Sequence, residues 1–177
     1  MSAAHRVWLG DVDDAGTLAR LHAGAVEDAW PEAAFDSLLS RAEVFVLLGA
    51  RPTIAAAEGF VLVRTVAGEA EILTFCVSER ARRCGLGMEL LVGACEIARG
   101  RESTHMFLEV SEKNAAAKGL YQKIGFAAVG RRAAYYRQGS VAADAIVMRK
   151  ELSAPIPQPD EGLPSSFRDA TESTKRE

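Results

Sequence analysis

No run of this 177-residue chain is apolar and long enough to cross a membrane as a helix, so no membrane partner is expected. The opening residues, Met1-Ser2-Ala3-Ala4-His5-Arg6, lack the apolar segment of a secretory leader, which sets the expectation of a cytoplasmic protein. Cysteine is scarce. Cys76, Cys84 and Cys95 are odd in number and form no CxxC pair, which argues for reduced thiols and against a zinc site. No metal is expected. Positive charge is not in excess either: the net charge is −3, which speaks against a nucleic-acid partner. Internal repeats are absent. Only six prolines occur, and four of them fall after residue 152.

What is present is enough for one core. Hydrophobic residues make up 49% and the mean hydropathy is +0.02, as in a soluble globular domain. Residues 1–152 read as that domain. Residues 153–177 hold few large apolar side chains and read as a flexible proline-rich tail, because they bury too little surface to offset their ordering entropy.

Periodicity sketches the elements. Strands are expected at 5–9, 43–48, 54–66, 69–77, 105–110, 126–136 and 141–150. A helix capped by Asp13 or Asp14 carries Ala15, Leu18, Leu21, Ala25 and Val26 at helical spacing. Pro31 opens a second helix through Phe35 and Leu39. A third ends near Gly100 and a fourth spans 114–124. The class is α/β, with a mixed central sheet of about seven strands flanked by about four helices.

The most informative stretch is Arg82-Arg83-Cys84-Gly85-Leu86-Gly87, between the apolar run 72–77 and a helix with Leu86, Leu90, Leu91, Ala94, Ile97 and Ala98 on one side. Glycines let backbone N–H groups approach a phosphate, a helix start adds a favourable dipole, and arginines add permanent charge. No Gly-Lys-Ser/Thr follows and GxGxxG is missing, so neither a triphosphate loop nor a dinucleotide fingerprint fits. By itself the stretch also reads as a tight turn with solvated arginines.

Other candidates carry two readings each. Glu109 interrupts the apolar strand Met106–Val110; it is either solvent-facing or a desolvated carboxylate, and desolvation makes a carboxylate a stronger base. Tyr121 shares a helix stripe with Ala117, Leu120 and Ile124, so it is a core residue whose hydroxyl still needs a partner. Asn114 is a natural N-cap, and the helix start behind it could face a cofactor. Tyr135 and Tyr136 either line a substrate groove or pack at a strand end. The cysteine in the loop, Cys84, is read as a backbone-contact residue. His5, His22 and His105 share no motif and receive no catalytic role.

Together these residues resemble the GNAT family of N-acetyltransferases. The segments 108–117 and 120–126, Arg131-Arg132, Tyr135-Tyr136 and 144–148 resemble its RimI branch of ribosomal-protein alanine N-acetyltransferases. The resemblance covers roughly residues 5–150 and is dense from 70 to 150. It implies a GNAT fold with acetyl-CoA as cosubstrate. The backbone of Phe75, Cys76 and Val77 would hold the pantetheine arm. Arg82, Arg83, Cys84, Gly85, Leu86, Gly87 and Met88 would hold the diphosphate, with Asn114 and Tyr121 as further contacts. It further implies Glu109 as general base, Tyr121 as general acid, and the N-terminus of a small-subunit ribosomal protein as acceptor. A GNAT enzyme acting on a small amine and a catalytically silent acetyl-CoA-binding module remain as alternatives.

Overall fold

The computed structural model describes residues 5–138 and 141–152; of 134–138 and 141–143 it describes only the backbone. The expected tail at 153–177 lies outside the described residues. Seven strands form one sheet in the order β1-β2-β3-β4-β5-β7-β6. They are β1 (Arg6–Leu9), β2 (Val44–Ala50), β3 (Gly59–Val66), β4 (Glu69–Val77), β5 (His105–Ser111), β6 (Ala127–Gln138) and β7 (Val141–Glu151). The helices are α1 (Ala15–Ala23), α2 (Glu32–Leu39), α3 (Leu86–Gly100) and α4 (Ala115–Ile124). All neighbouring strands are antiparallel except β4 and β5, which α3 connects as a crossover.

The sheet is covered on both faces, so its central strands are apolar on both sides. In β2, Phe45 and Leu47 join the core under α3 and α4, while Val44, Val46 and Leu48 join the core under α1 and α2. All seven β2 residues are buried.

Local chemistry sets the boundaries. Asp11 accepts from the Asp13 N–H at 2.9 Å and donates its own N–H to Asp14 at 3.1 Å, a reciprocal cap that starts the 3-10 turn leading into α1. The chain leaves α1 at Gly24, so Ala25 and Val26 fall outside it and Val26 is 40% exposed. Strand β3 begins at Gly59 rather than near Ile54. Residues 51–58 instead form a loop closed by Glu58, whose carboxylate accepts the Arg51 N–H at 3.0 Å and its guanidinium at 2.5 Å. That hydrogen-bonded guanidinium holds the Glu58 carboxyl below its usual range.

One irregularity positions the site. Leu62 opposes Thr74 and Val63 opposes Ile72, leaving Leu73 as an extra residue in β4. Alternation is therefore reset. Ala70 and Ile72 face the α3/α4 core, and so do Phe75 and Val77, while Leu73 and Cys76 face the α1/α2 core.

Candidate active site

The loop between β4 and α3 has the main-chain geometry of an anion cradle. Gly85 caps α3 with φ 99° and ψ −14°, and Arg83 has φ 63°. A left-handed residue followed by a helix turns successive N–H groups towards one concave side. Gly85 makes no side-chain cap and the Met88 N–H turns back to the Gly85 carbonyl at 3.0 Å, which leaves the Leu86 and Gly87 N–H groups and the positive end of this 15-residue helix open to a ligand among the described residues. Arg82 donates from Nε to the Val77 carbonyl at 3.2 Å, fastening the loop to the end of β4. Arg82 and Arg83 are exposed. Cys84 is half-buried and its thiol donates to the Ala81 carbonyl at 3.0 Å. Leu86 is fully buried, so it can offer a ligand only its backbone; Met88 is half-buried against the same core. A Cβ on Gly87 would sit 3.1 Å from Phe75 Cζ and 3.4 Å from Leu120 Cδ2, so this glycine lets α3 close onto β4 and α4.

Beside the cradle the sheet is split. Strands β4 and β5 pair only at Glu69↔His105, Ala70↔Met106 and Glu71↔Phe107. Beyond that point β4 stays paired with β3 as far as Val77, and β5 with β7 as far as Ser111. Among the described residues, residues 72–77 therefore present a backbone edge without a strand partner across from residues 108–111. Of the expected arm-binding residues, Phe75 and Val77 lie on the α3 side of this edge. Cys76 points into the opposite core, where burial pushes its thiol up to about 11 and keeps it neutral.

Two ionisable side chains flank the split from opposite faces. In β5, Met106, Leu108 and Val110 enter the α3/α4 core, which turns Glu109 to the other face. Glu109 is half-buried, and its Oε1 lies 3.0 Å from Nε of Arg132 on β6. With Arg64, Glu71 and Phe107 these two line an open groove of about 280 Å³. Tyr121 is 6% exposed on the α3/α4 side, its ring 6.3 Å from Phe75 and 5.9 Å from Phe126. Asn114 caps α4, accepting from the Ala117 N–H at 3.0 Å. Tyr135 and Tyr136 belong to β6, but their side chains lie outside the described residues.

Two contributors escaped sequence reasoning. The extra Leu73 has no sequence signal, because from Ile72 on β4 carries apolar residues on both faces and only Thr74 among them is polar. Arg132 stands in the sequence only as half of the Arg131-Arg132 pair that carries the resemblance; its pairing with Glu109 joins strands 23 residues apart in sequence. Among the described residues no cluster of His, Cys, Asp or Glu has the makings of a metal site.

Split sheet, cradle helix and flanking groove are the architecture of an acyltransferase, and the profile of the acetyltransferase (GNAT) family matches residues 17–126: the chain belongs to that family. Its resemblance within the family is to RimI-type proteins. It is 36% identical to the N-alpha-acetyltransferase RimI of Mycobacterium tuberculosis over 73% of this chain and 80% of that protein. The crystal structure of the ribosomal-protein-S18-alanine N-acetyltransferase from Escherichia coli superposes with a TM-score of 0.76, at 25% identity over 91% of this chain and 99% of that one. Arabidopsis thaliana NAA60 in complex with acetyl-CoA shares the fold, with a TM-score of 0.75 at 17% identity over 85% of this chain and 100% of that one.

Proposed function

We propose that this chain transfers an acetyl group from acetyl-CoA directly to the N-terminal amine of a protein that begins with alanine, and that the acceptor is a small-subunit ribosomal protein in the cytoplasm. The observation that carries the reading is the juxtaposition of the Gly85 cradle with the open edge of β4. A ligand with an anionic diphosphate and a thin amide-bearing arm needs such a pair of features side by side. The acceptor assignment rests on the resemblance to the S18-alanine enzyme.

In this reading the backbone of residues 82–88 holds the diphosphate, and the open edge at Phe75–Val77 holds the arm by strand-like hydrogen bonds. An α-amine with a pKa near ~8 is mostly protonated at neutral pH and has no lone pair to attack with. Glu109 takes that proton, directly or through a water, from the groove side of the sheet. N–H groups at the edge of β4 draw electron density from the acetyl carbonyl. Tyr121, on the other face, gives its proton to the departing sulfur. Base and acid on opposite sides of a split let both substrates be held at once, so no acyl-enzyme is needed and positioning supplies much of the rate.

The test is thiol release from acetyl-CoA with peptides that begin with alanine. Tyr121→Phe and Glu109→Gln should each lower kcat by about 10²- to 10⁴-fold, with acetyl-CoA affinity by calorimetry within about twofold of wild type. Full turnover in either variant removes that residue from the chemistry. Turnover with small amines alone overturns the protein acceptor, and no turnover with any amine overturns the enzyme reading.

A further inference from the structure

His5 receives no role from the mechanism, yet it is 5% exposed and ends up under the cradle. It precedes β1, far in sequence from the loop. Its Nδ1 lies 2.7 Å from Oε1 of Glu89, in the first turn of α3. With a carboxylate as partner, Nδ1 carries the hydrogen and donates it. The ring also backs the left-handed loop residue, since a Cβ on Gly85 would lie 3.5 Å from His5 Cε1. Glu89 has little else to hold it. Its Oε2 is buried and has no hydrogen-bond partner among the described residues. One imidazole therefore lies behind the cap of the helix and also bonds a side chain of its first turn.

We infer that His5 is a positioning residue for the cofactor: its hydrogen bond to Glu89 and its packing behind Gly85 hold the first-turn N–H groups of α3 in the shape that receives the diphosphate. The proposal rests on the acetyl-CoA reading above. Glu89 is itself anionic and lies one turn from an anion site. Left unrestrained it would compete with a phosphate for the same N–H groups, as carboxylates at helix starts do. The bond to His5 keeps it turned towards the start of β1 instead.

The test compares two acyl donors on the full chain: acetyl-CoA, and S-acetylpantetheine, which has the arm but no diphosphate. His5→Ala should raise KM for acetyl-CoA and Kd for CoA by about tenfold, with kcat at saturating donor and KM for the acceptor within about twofold. KM for S-acetylpantetheine should stay unchanged. His5→Asn, whose amide nitrogen falls near the place of Nδ1, should recover most of the CoA affinity. Equal loss with both donors makes His5 a general structural residue and overturns the inference, as does wild-type CoA affinity in His5→Ala. If His5→Ala does not fold, His5→Phe, which keeps a ring behind Gly85 but has no N–H for Glu89, is compared on the same two donors and decides by the same criterion. Wild-type protein without affinity for CoA would overturn the functional reading instead.

Discussion

Alanine at Gly85 separates the backbone demand of the cradle from its packing. The added methyl would meet His5 Cε1 at 3.5 Å, an ordinary contact, so there is room for it. It would point towards His5, so crowding of a bound phosphate is not the first consequence. The cost comes from φ 99°, a region where an L residue loses roughly 1–2 kcal/mol relative to glycine. Two limits follow. If the loop keeps its shape, the strain is stored in the folded protein, whose melting temperature falls by about 2–8 °C for a domain of this size. If the loop relaxes, the fold is spared, but cofactor binding must restore the left-handed turn, and Kd rises by roughly 5- to 30-fold. The two losses are complementary and together amount to about 1–2 kcal/mol. Scanning calorimetry without ligand and titration calorimetry with CoA, on one preparation of Gly85→Ala, measure both. Unchanged melting and unchanged Kd together would refute the argument. Complete loss of binding in a well-folded variant would refute it differently, by showing that the side chain meets the ligand.

Two further outcomes are expected. His22 is buried against Trp30 and Phe35 and accepts the backbone N–H of Trp30 at Nδ1, and burial holds its pKa below the ordinary 6.5. The folded state then binds fewer protons than the unfolded one, so stability is full above pH 6.5 and falls as pH drops through 6.5 towards the folded-state value, by at most about 1.4 kcal/mol per pH unit. Urea midpoints between pH 7 and 5 should fall less in His22→Asn, and parallel slopes would count against this. Burial pushes the Cys95 thiol up to about 12 as it does Cys76 to about 11, so at about pH 8 an aromatic disulfide reagent should find one accessible thiol, Cys84, and two that react only on unfolding. Acetyl-CoA should slow the reaction of Cys84; an unchanged rate would separate that residue from the ligand site.

Much of the fold was legible because it is written locally. The helix start at Gly85, the Asn114 cap and the apolar strands each depend on a few adjacent residues. Pattern misled where a polar lock overrode it. Ile54 to Ala57 look like strand, but the Arg51–Glu58 pair closes a loop around them. Pairing across the sheet was not legible at all. That β4 leaves β5 after Glu71, that Leu73 is unopposed and that Arg132 meets Glu109 are facts about strands distant in sequence, and the alternation within any one strand does not encode them. The role of Glu109 was open because its strand position fixes only which face it takes. Its neighbours on that face come from β3, β4 and β6.

The short parallel seam between Glu69–Glu71 and His105–Phe107 also has a mechanical meaning. Two half-sheets, one of four strands and one of three, are stitched by three residue pairs and bridged by the crossover helix. Stiffness across the molecule is therefore least along that line. A ligand seated there would act as a missing rung between the halves, making rigidity a property of the loaded protein and letting departure of the spent donor loosen both halves at once.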